Sequence, residues 1–319
     1  MISRRVIRIK VLQVLYAFYT SPDKSINHTE KELFFSIQKT YDLYHYLLDL
    51  AIEISKHAEA VIELRKKKHF PTAEDLNPNT RFVHNQLINQ LKTNESLTNY
   101  LEKSKLSWVN EADLIKKISN TLIETDFYKS YISAKENSYQ ADKKFVEQFF
   151  SEVILQSEDL HHVLEEQSIY WNDDIDFVVS MIIKTFKKFK EFTREDKALL
   201  PIFKDEEDRQ FAKDLYRKTI LSHDELKKVV ETYTVNWDVD RIAFIDELIL
   251  ELAISEFLYF PSIPTKVTLN EYIELSKYYS TQKSRNFING ILDKALKALK
   301  TENKILKAGR GLIGEDTPS

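Results

Sequence analysis

The chain has 319 residues, 43% hydrophobic and 30% charged, which suits about two domains of ~150 residues each and is too apolar for general disorder. It has no cysteine and four glycines, none before Gly290, which argues against disulfide frameworks, thiolate metal sites, cysteine nucleophiles and the glycine-rich turns of dinucleotide, Walker and methyl-donor folds. Forty-six basic against 50 acidic residues give a net charge of −4, so any nucleic-acid surface must be a local patch on a mostly helical protein.

The first segment, 3–20, reads as one helix without Gly or Pro, capped by Ser3 and ended by Ser21-Pro22-Asp23. Arg4, Arg5, Arg8 and Lys10 give its N-terminal half four positive charges, where the helix dipole makes cations slightly unfavourable. Leu12, Leu15, Tyr16 and Tyr19 follow at helical spacing, so the expectation is a helix anchored by its C-terminal half with its cations exposed. Arginines before an apolar run imitate a secretory leader. Lys10 and Gln13 break that run, no small-residue cleavage site follows, and no stretch reaches the ~18 apolar residues of a membrane span. A cytoplasmic protein without membrane attachment is expected.

Residues 29–68 and 109–165 carry the pattern of long amphipathic helices, with a loop at Phe70-Pro71 and Asn77-Pro78-Asn79 between them. The basic runs Arg65-Lys66-Lys67-Lys68 and Lys184, Lys187, Lys188, Lys190 read as solvated helix surface. Glu158-x-x-His161 is half of a di-iron helix motif, and its companion pair is missing, so no metal or other cofactor is expected. Sliding the chain by 66 residues aligns 145–174 with 211–240 at eight identities, among them Phe145/Phe211, Leu160/Leu226 and Trp171/Trp237. The match fits either a degenerate duplication or two similar packing problems.

Toward the C-terminus, Asn236-Trp237-Asp238 offers capping chemistry before a helix whose Ile245, Leu248, Ile249, Leu252, Ala253 and Phe257 form an apolar stripe. Asp246, Glu247 and Glu251 flank it as a solvated edge, too open for acid–base catalysis. A helix over 267–279, with Val267, Ile273 and Leu275 inward, precedes a final helix over 285–300 capped by Ser284. Gly290 lies inside that last helix at about 1 kcal/mol against alanine, which calls for a closely packed backbone or a ligand. Phe287 could stack on a base or belong to the core. The N-terminal guanidinium cluster suits RNA or DNA phosphates, a partner's carboxylates, anionic lipid head groups, or plain solvation.

Two blocks carry a family resemblance. The run Arg4-Arg5-Val6-Ile7-Arg8-Ile9-Lys10-Val11-Leu12-Gln13-Val14-Leu15-Tyr16 resembles the opening helix of the NusB family of bacterial antitermination factors. Ile263-Pro264-Thr265-Lys266-Val267-Thr268-Leu269-Asn270-Glu271-Tyr272-Ile273-Glu274-Leu275-Ser276-Lys277 and Phe287-Ile288-Asn289-Gly290-Ile291-Leu292-Asp293-Lys294 resemble that family's C-terminal signature. Ile9 departs from the glutamate usual there, which questions how the neighbouring arginines are oriented. The resemblance implies an all-α fold, a NusB-like pair of three-helix bundles with an additional helical domain. Residues 1–20 and 201–300 would form the NusB-like core, 21–200 a helical insertion or added domain, and 301–319 a flexible tail. It implies a protein that is not an enzyme. It also implies binding of boxA-like single-stranded RNA of ribosomal RNA leaders together with the ribosomal protein NusE, and indirect partnership with other Nus factors and RNA polymerase. Carried over by position, Arg4, Arg5, Arg8, Lys283, Phe287 and Asn289 would form the RNA-binding set. The competing reading is a helical protein-binding adaptor whose insertion is the main interface.

Overall fold

A computed structural model of the chain describes residues 1–22, 25–234 and 243–314. Among these residues every regular element is helical. The first half contains α1 (Arg4–Thr20), α2 (Ile26–Lys66), α3 (Ala73–Leu76), α4 (Gln86–Lys92), α5 (Glu95–Ser104), α6 (Ala112–Glu124), α7 (Asp126–Ser133) and α8 (Tyr139–Gln148). The second contains α9 (Glu158–Gln167), α10 (Ile175–Lys188), α11 (Glu206–Leu221), α12 (His223–Thr234), α13 (Phe244–Tyr259), α14 (Thr265–Tyr279) and α15 (Gln282–Thr301). The fold is all-α, and no helix among the described residues is long and apolar enough to cross a membrane.

The chain divides into two compact units, one of Gln38–Ile202 with Met1, the other of Ile2–Ile37 with the chain from Phe203 onward. The second unit thus claims the start of α2 as well as α1. There Glu30 pairs with Arg217, Thr29 bonds to the Tyr216 hydroxyl, and Phe34 meets the Phe203 ring edge-on at 6.4 Å.

In the first unit the expected single helix over 109–165 is broken into pieces. Thr125, Ser138 and Ser157 each accept a hydrogen bond from the backbone N–H three residues on, and so start α7, α8 and α9. Hydroxyl side chains that bond the backbone this way favour helix starts over helix interiors. A π-helical turn at Phe149–Ile154 continues α8. The core is aromatic: Trp108 stacks on Tyr46 at 3.7 Å and donates its Nε1–H to the Tyr46 carbonyl, while Trp171 donates to the carbonyl of Lys39. His161 bonds the Leu155 carbonyl, and no cluster of metal-binding side chains occurs among the described residues. The two segments matched by the internal repeat both fold as paired helices, 139–154 with 158–167 and 206–221 with 223–234; Trp237 and Asp240 lie outside the described residues. So does the expected cap Asn236-Trp237-Asp238.

In the second unit α1, α11 and α13 pack together, and α13, α14 and α15 form a further three-helix group, so the two bundles share α13. This sharing explains why α13 is not a one-sided amphipathic helix. Leu248, Ile249, Leu250, Leu252, Ala253, Ile254 and Phe257 are all fully buried, as are Glu251 and Glu256, and Asp246 is nearly so. Of the acidic edge expected to face solvent, Glu247 stays part-exposed and pairs with Lys227, whereas Asp246 and Glu251 are inside, where each carboxylate needs a partner. Asp246 accepts from Ser280, Glu251 from His223 at 2.9 Å, and Glu256 from Arg8. On α14 the buried residues are Thr265, Thr268, Tyr272, Leu275 and Ser276; of the three expected inward, Leu275 is buried, Ile273 is half-buried and Val267 is exposed. The final helix starts three residues earlier than expected, capped by Thr281, whose hydroxyl accepts from the Ser284 N–H at 3.2 Å. The tail expected to be flexible over 301–319 is folded back as far as residue 314, with a 3₁₀ turn at Gly309–Leu312; residues 315–319 lie outside the described residues.

Candidate nucleic-acid interface

The site begins with how α1 is held. Ser3 caps it, accepting from the Val6 N–H at 3.4 Å, and Val6, Ile7, Val11, Leu12, Leu15 and Phe18 are buried. Each fully buried apolar side chain of this size contributes about 1.5–3 kcal/mol, so the N-terminal half is anchored as firmly as the C-terminal half. The exposed cationic start expected from the sequence is accordingly reduced: Arg8 and Lys10 are both buried, at 2% and 1% exposure.

Arg8 makes a bidentate pair with Glu256, Nε to Oε2 at 2.8 Å and Nη2 to Oε1 at 2.7 Å. Thr268 and Tyr272 donate to the same carboxylate at 2.7 and 3.2 Å, and the guanidinium lies over the Phe211 and Tyr272 rings. Burial works against the charged guanidinium, but Glu256 outweighs it and the Arg8 pKa rises. Burial and the adjacent Glu256 carboxylate both disfavour an ionised Tyr272, whose pKa rises. Arg8 therefore joins α1 to α13 and α14, and its donors face inward.

Arg4 and Arg5 differ. Arg4 donates Nε to Asp208 at 2.7 Å, and Asp208 itself sits in the first turn of α11 behind the Asp205 cap. Arg5 makes a bidentate pair with Glu271 at 2.8 Å, half of its side chain remaining exposed. Burial tends to raise the Glu271 pKa, but Arg5 and Arg8 prevail and it is lowered. The family glutamate that Ile9 replaces is thus not needed to orient the arginines, since Asp208, Glu256 and Glu271 do so from three other helices.

Near the head of α15, Lys283 and Asn289 are exposed, whereas Phe287 is buried at 8% exposure. Of the two roles the sequence leaves open for Phe287, its burial favours the core. Helix α14 packs against α15 and also holds Arg5 through Glu271, so an acidic group of α14 lies against the cations of α1. Helix α1 meets the end of α14 where Gln13 donates to the Tyr279 hydroxyl at 3.1 Å. There Leu12, Gln13, Tyr16, Phe244 and Tyr279 line a mostly apolar concavity of about 520 Å³. At Gly290 an added Cβ would meet nothing within 4 Å, so close packing of another backbone is not what retains this glycine.

Sequence reasoning passed over the carboxylates that pin the arginines and the C-terminal Arg310. The signal for Asp208 was present in the acidic first turn of α11. Nothing in the local pattern distinguished Glu256 from surface glutamates.

Residues 177–297 match the NusB family model, a range that excludes α1. The chain is 41% identical over 118 residues to the transcription antitermination protein NusB of Salinibacter ruber, covering 37% of this chain and 74% of that protein. It is 46% identical over 78 residues to NusB of Chloroherpeton thalassium, covering 24% and 37%, and 48% identical over 89 residues to NusB of Oleidesulfovibrio alaskensis, covering 28% and 58%. The match thus spans less than two thirds of the latter two relatives. No solved structure matches the chain.

Proposed function

Since this chain belongs to the NusB family, we propose that it is a transcription antitermination factor acting in the cytoplasm by binding rather than by catalysis. Its ligand is a boxA-like single strand of ribosomal RNA leaders, bound together with the ribosomal protein NusE, with other Nus factors and RNA polymerase as indirect partners. The observation that carries this reading is the 41–48% identity to proteins named for antitermination, together with the family match over residues 177–297. Within the candidate set, surface position favours Arg4, Arg5, Lys283 and Asn289 as RNA contacts. Arg8 and Phe287 support them from beneath, one by tying three helices together and the other by filling the core under α15.

Arginine suits the task because its planar fork can meet two phosphate oxygens or stack on an unpaired base. The test is binding of a boxA-type RNA oligonucleotide across a salt series. Each phosphate contact on a single strand adds about −0.7 to the slope of log K against log salt. Replacing Arg5 and Lys283 together by alanine is expected to flatten the slope by about 1.4 while the circular dichroism spectrum is retained. An unchanged slope and affinity would remove this face from the interface.

A further inference from the structure

Arg4 is a fixed group. Its Nε is tied to Asp208 at 2.7 Å, Asp208 is only 10% exposed, and the guanidinium lies 5.1 Å over the Phe211 ring. These contacts leave the Nη edge as the outward part of the fork, and there Nη2 stands 3.7 Å from Oε2 of Glu207. Arg310, from the far end of the chain, donates its own Nη2 to the same oxygen at 3.2 Å. Two guanidinium groups thus converge on one carboxylate oxygen.

That oxygen is a poor structural partner. Glu207 is 68% exposed and Arg310 70%, and exposed ion pairs of this kind contribute little to stability. Glu207 is also well placed without either arginine, because an acidic residue in the first turn of α11 is favoured by the helix dipole. It can swing out at little cost. A phosphate in its place would offer more acceptor oxygens and more charge to the same two forks.

The backbone around Arg310 indicates that its position is specified. Ala308 donates its N–H to the Pro261 carbonyl at 3.0 Å, Lys307 donates Nζ to the Phe260 carbonyl at 3.0 Å, and Gly309 adopts a positive φ of 55°. Gly311 is buried so close to Pro261 that a Cβ would lie 1.9 Å from its carbonyl oxygen, a clash with backbone that no rotamer relieves. Leu312 and Ile313 remain exposed, so burying apolar side chains is not what this turn achieves. It does bring one guanidinium to the Glu207 oxygen that Arg4 also approaches.

We propose that Arg4 and Arg310 form a two-arginine clamp for a phosphate group, that Glu207 fills the clamp until the phosphate arrives, and that the phosphate is a phosphodiester of the bound RNA strand. The RNA assignment rests on the function proposed above; the phosphate chemistry does not. The strap at residues 307–312 is the device that preorganises the clamp.

The test uses the full chain with two probes, a boxA-type single-stranded RNA oligonucleotide and inorganic phosphate. Arg310→Gln is expected to weaken RNA binding about threefold to tenfold at low salt and to reduce the salt slope by about 0.7. Gly311→Ala, which keeps every charge but cannot keep the strap, should reproduce that loss, with thermal melting used to confirm an intact fold. Glu207→Gln should strengthen binding, because it removes the competing carboxylate. In parallel, the arginine Nε–H resonances are followed by NMR during phosphate titration, and a saturable shift that disappears in Arg310→Gln is expected. Should the wild type bind no RNA yet show that shift, the clamp stands with free phosphate as its ligand and the RNA reading falls. Should RNA bind equally well to all variants with no phosphate-dependent shift, the clamp is overturned and the RNA reading survives. RNA binding indifferent to the variants but accompanied by the shift overturns the phosphodiester assignment.

Discussion

Replacing Arg8 by methionine keeps most of the aliphatic stem over Phe211 and Tyr272 but leaves Glu256 without its bidentate partner. Glu256 is completely buried, and Thr268 and Tyr272 remain as its two donors. Removing one member of a buried ion pair typically costs about 3–5 kcal/mol, because the other charge stays desolvated. For a unit of this size each kcal/mol corresponds to roughly 2–4 °C in melting temperature, so a fall of about 6–20 °C is expected. Urea unfolding monitored by hydrogen exchange would assign the loss to α1, α13 and α14 rather than to the unit formed by Gln38–Ile202. The double variant Arg8→Met with Glu256→Leu should recover most of the loss, since an apolar replacement of both partners removes the unpaired charge. A single variant that keeps its stability within about 1 kcal/mol but loses tenfold or more in RNA affinity would refute the reasoning and return Arg8 to the RNA surface.

Two further outcomes are expected. Burial raises the Glu251 pKa from 4.5 to about 7 despite the opposing influence of His223, so the folded state binds this proton more tightly than the unfolded chain. The contribution of Glu251 to stability therefore falls as pH rises from about 4.5 to about 7, and Glu251→Gln should be more stable than wild type by about 3 kcal/mol at pH 8 and nearly equal to it at pH 4. Denaturant titrations at both pH values measure this, and a pH-independent difference would contradict it. Gly290→Ala adds a Cβ that meets nothing, so the free protein should gain about 0.5–1 kcal/mol. If an RNA or protein partner approaches that helix face, the same variant binds it more weakly; unaltered binding would deny the glycine a contact role.

How much could be read from the chain varies with the distance over which each feature is decided. The start of α1 at its Ser3 cap, the end at Ser21 and the interior position of Gly290 are local matters of capping and propensity, and the residues state them. The serine and threonine caps that divide 109–165 were equally local but were outweighed by a strong apolar periodicity that runs through them. The inward face of α14 was misread because Thr268 and Tyr272 look polar in isolation; they are inside because Glu256 is there to accept their hydroxyl protons. The tail looked mobile because glycines usually loosen a chain, whereas Gly311 is there to let the backbone approach Pro261.

The composition excluded glycine-loop chemistry, periodicity made the chain helical, and the two signature blocks pointed to its family, all without coordinates. Which arginines remain free for a ligand was a different kind of question. A charge at 8 and a charge at 5 look alike along one helix, and they separate only when helices from the other end of the chain close over the first and leave the second at the rim. Burial is a property of neighbours, so the division between structural and ligand-facing guanidinium groups, and the meeting of Arg4 with Arg310, belonged to the tertiary fold alone.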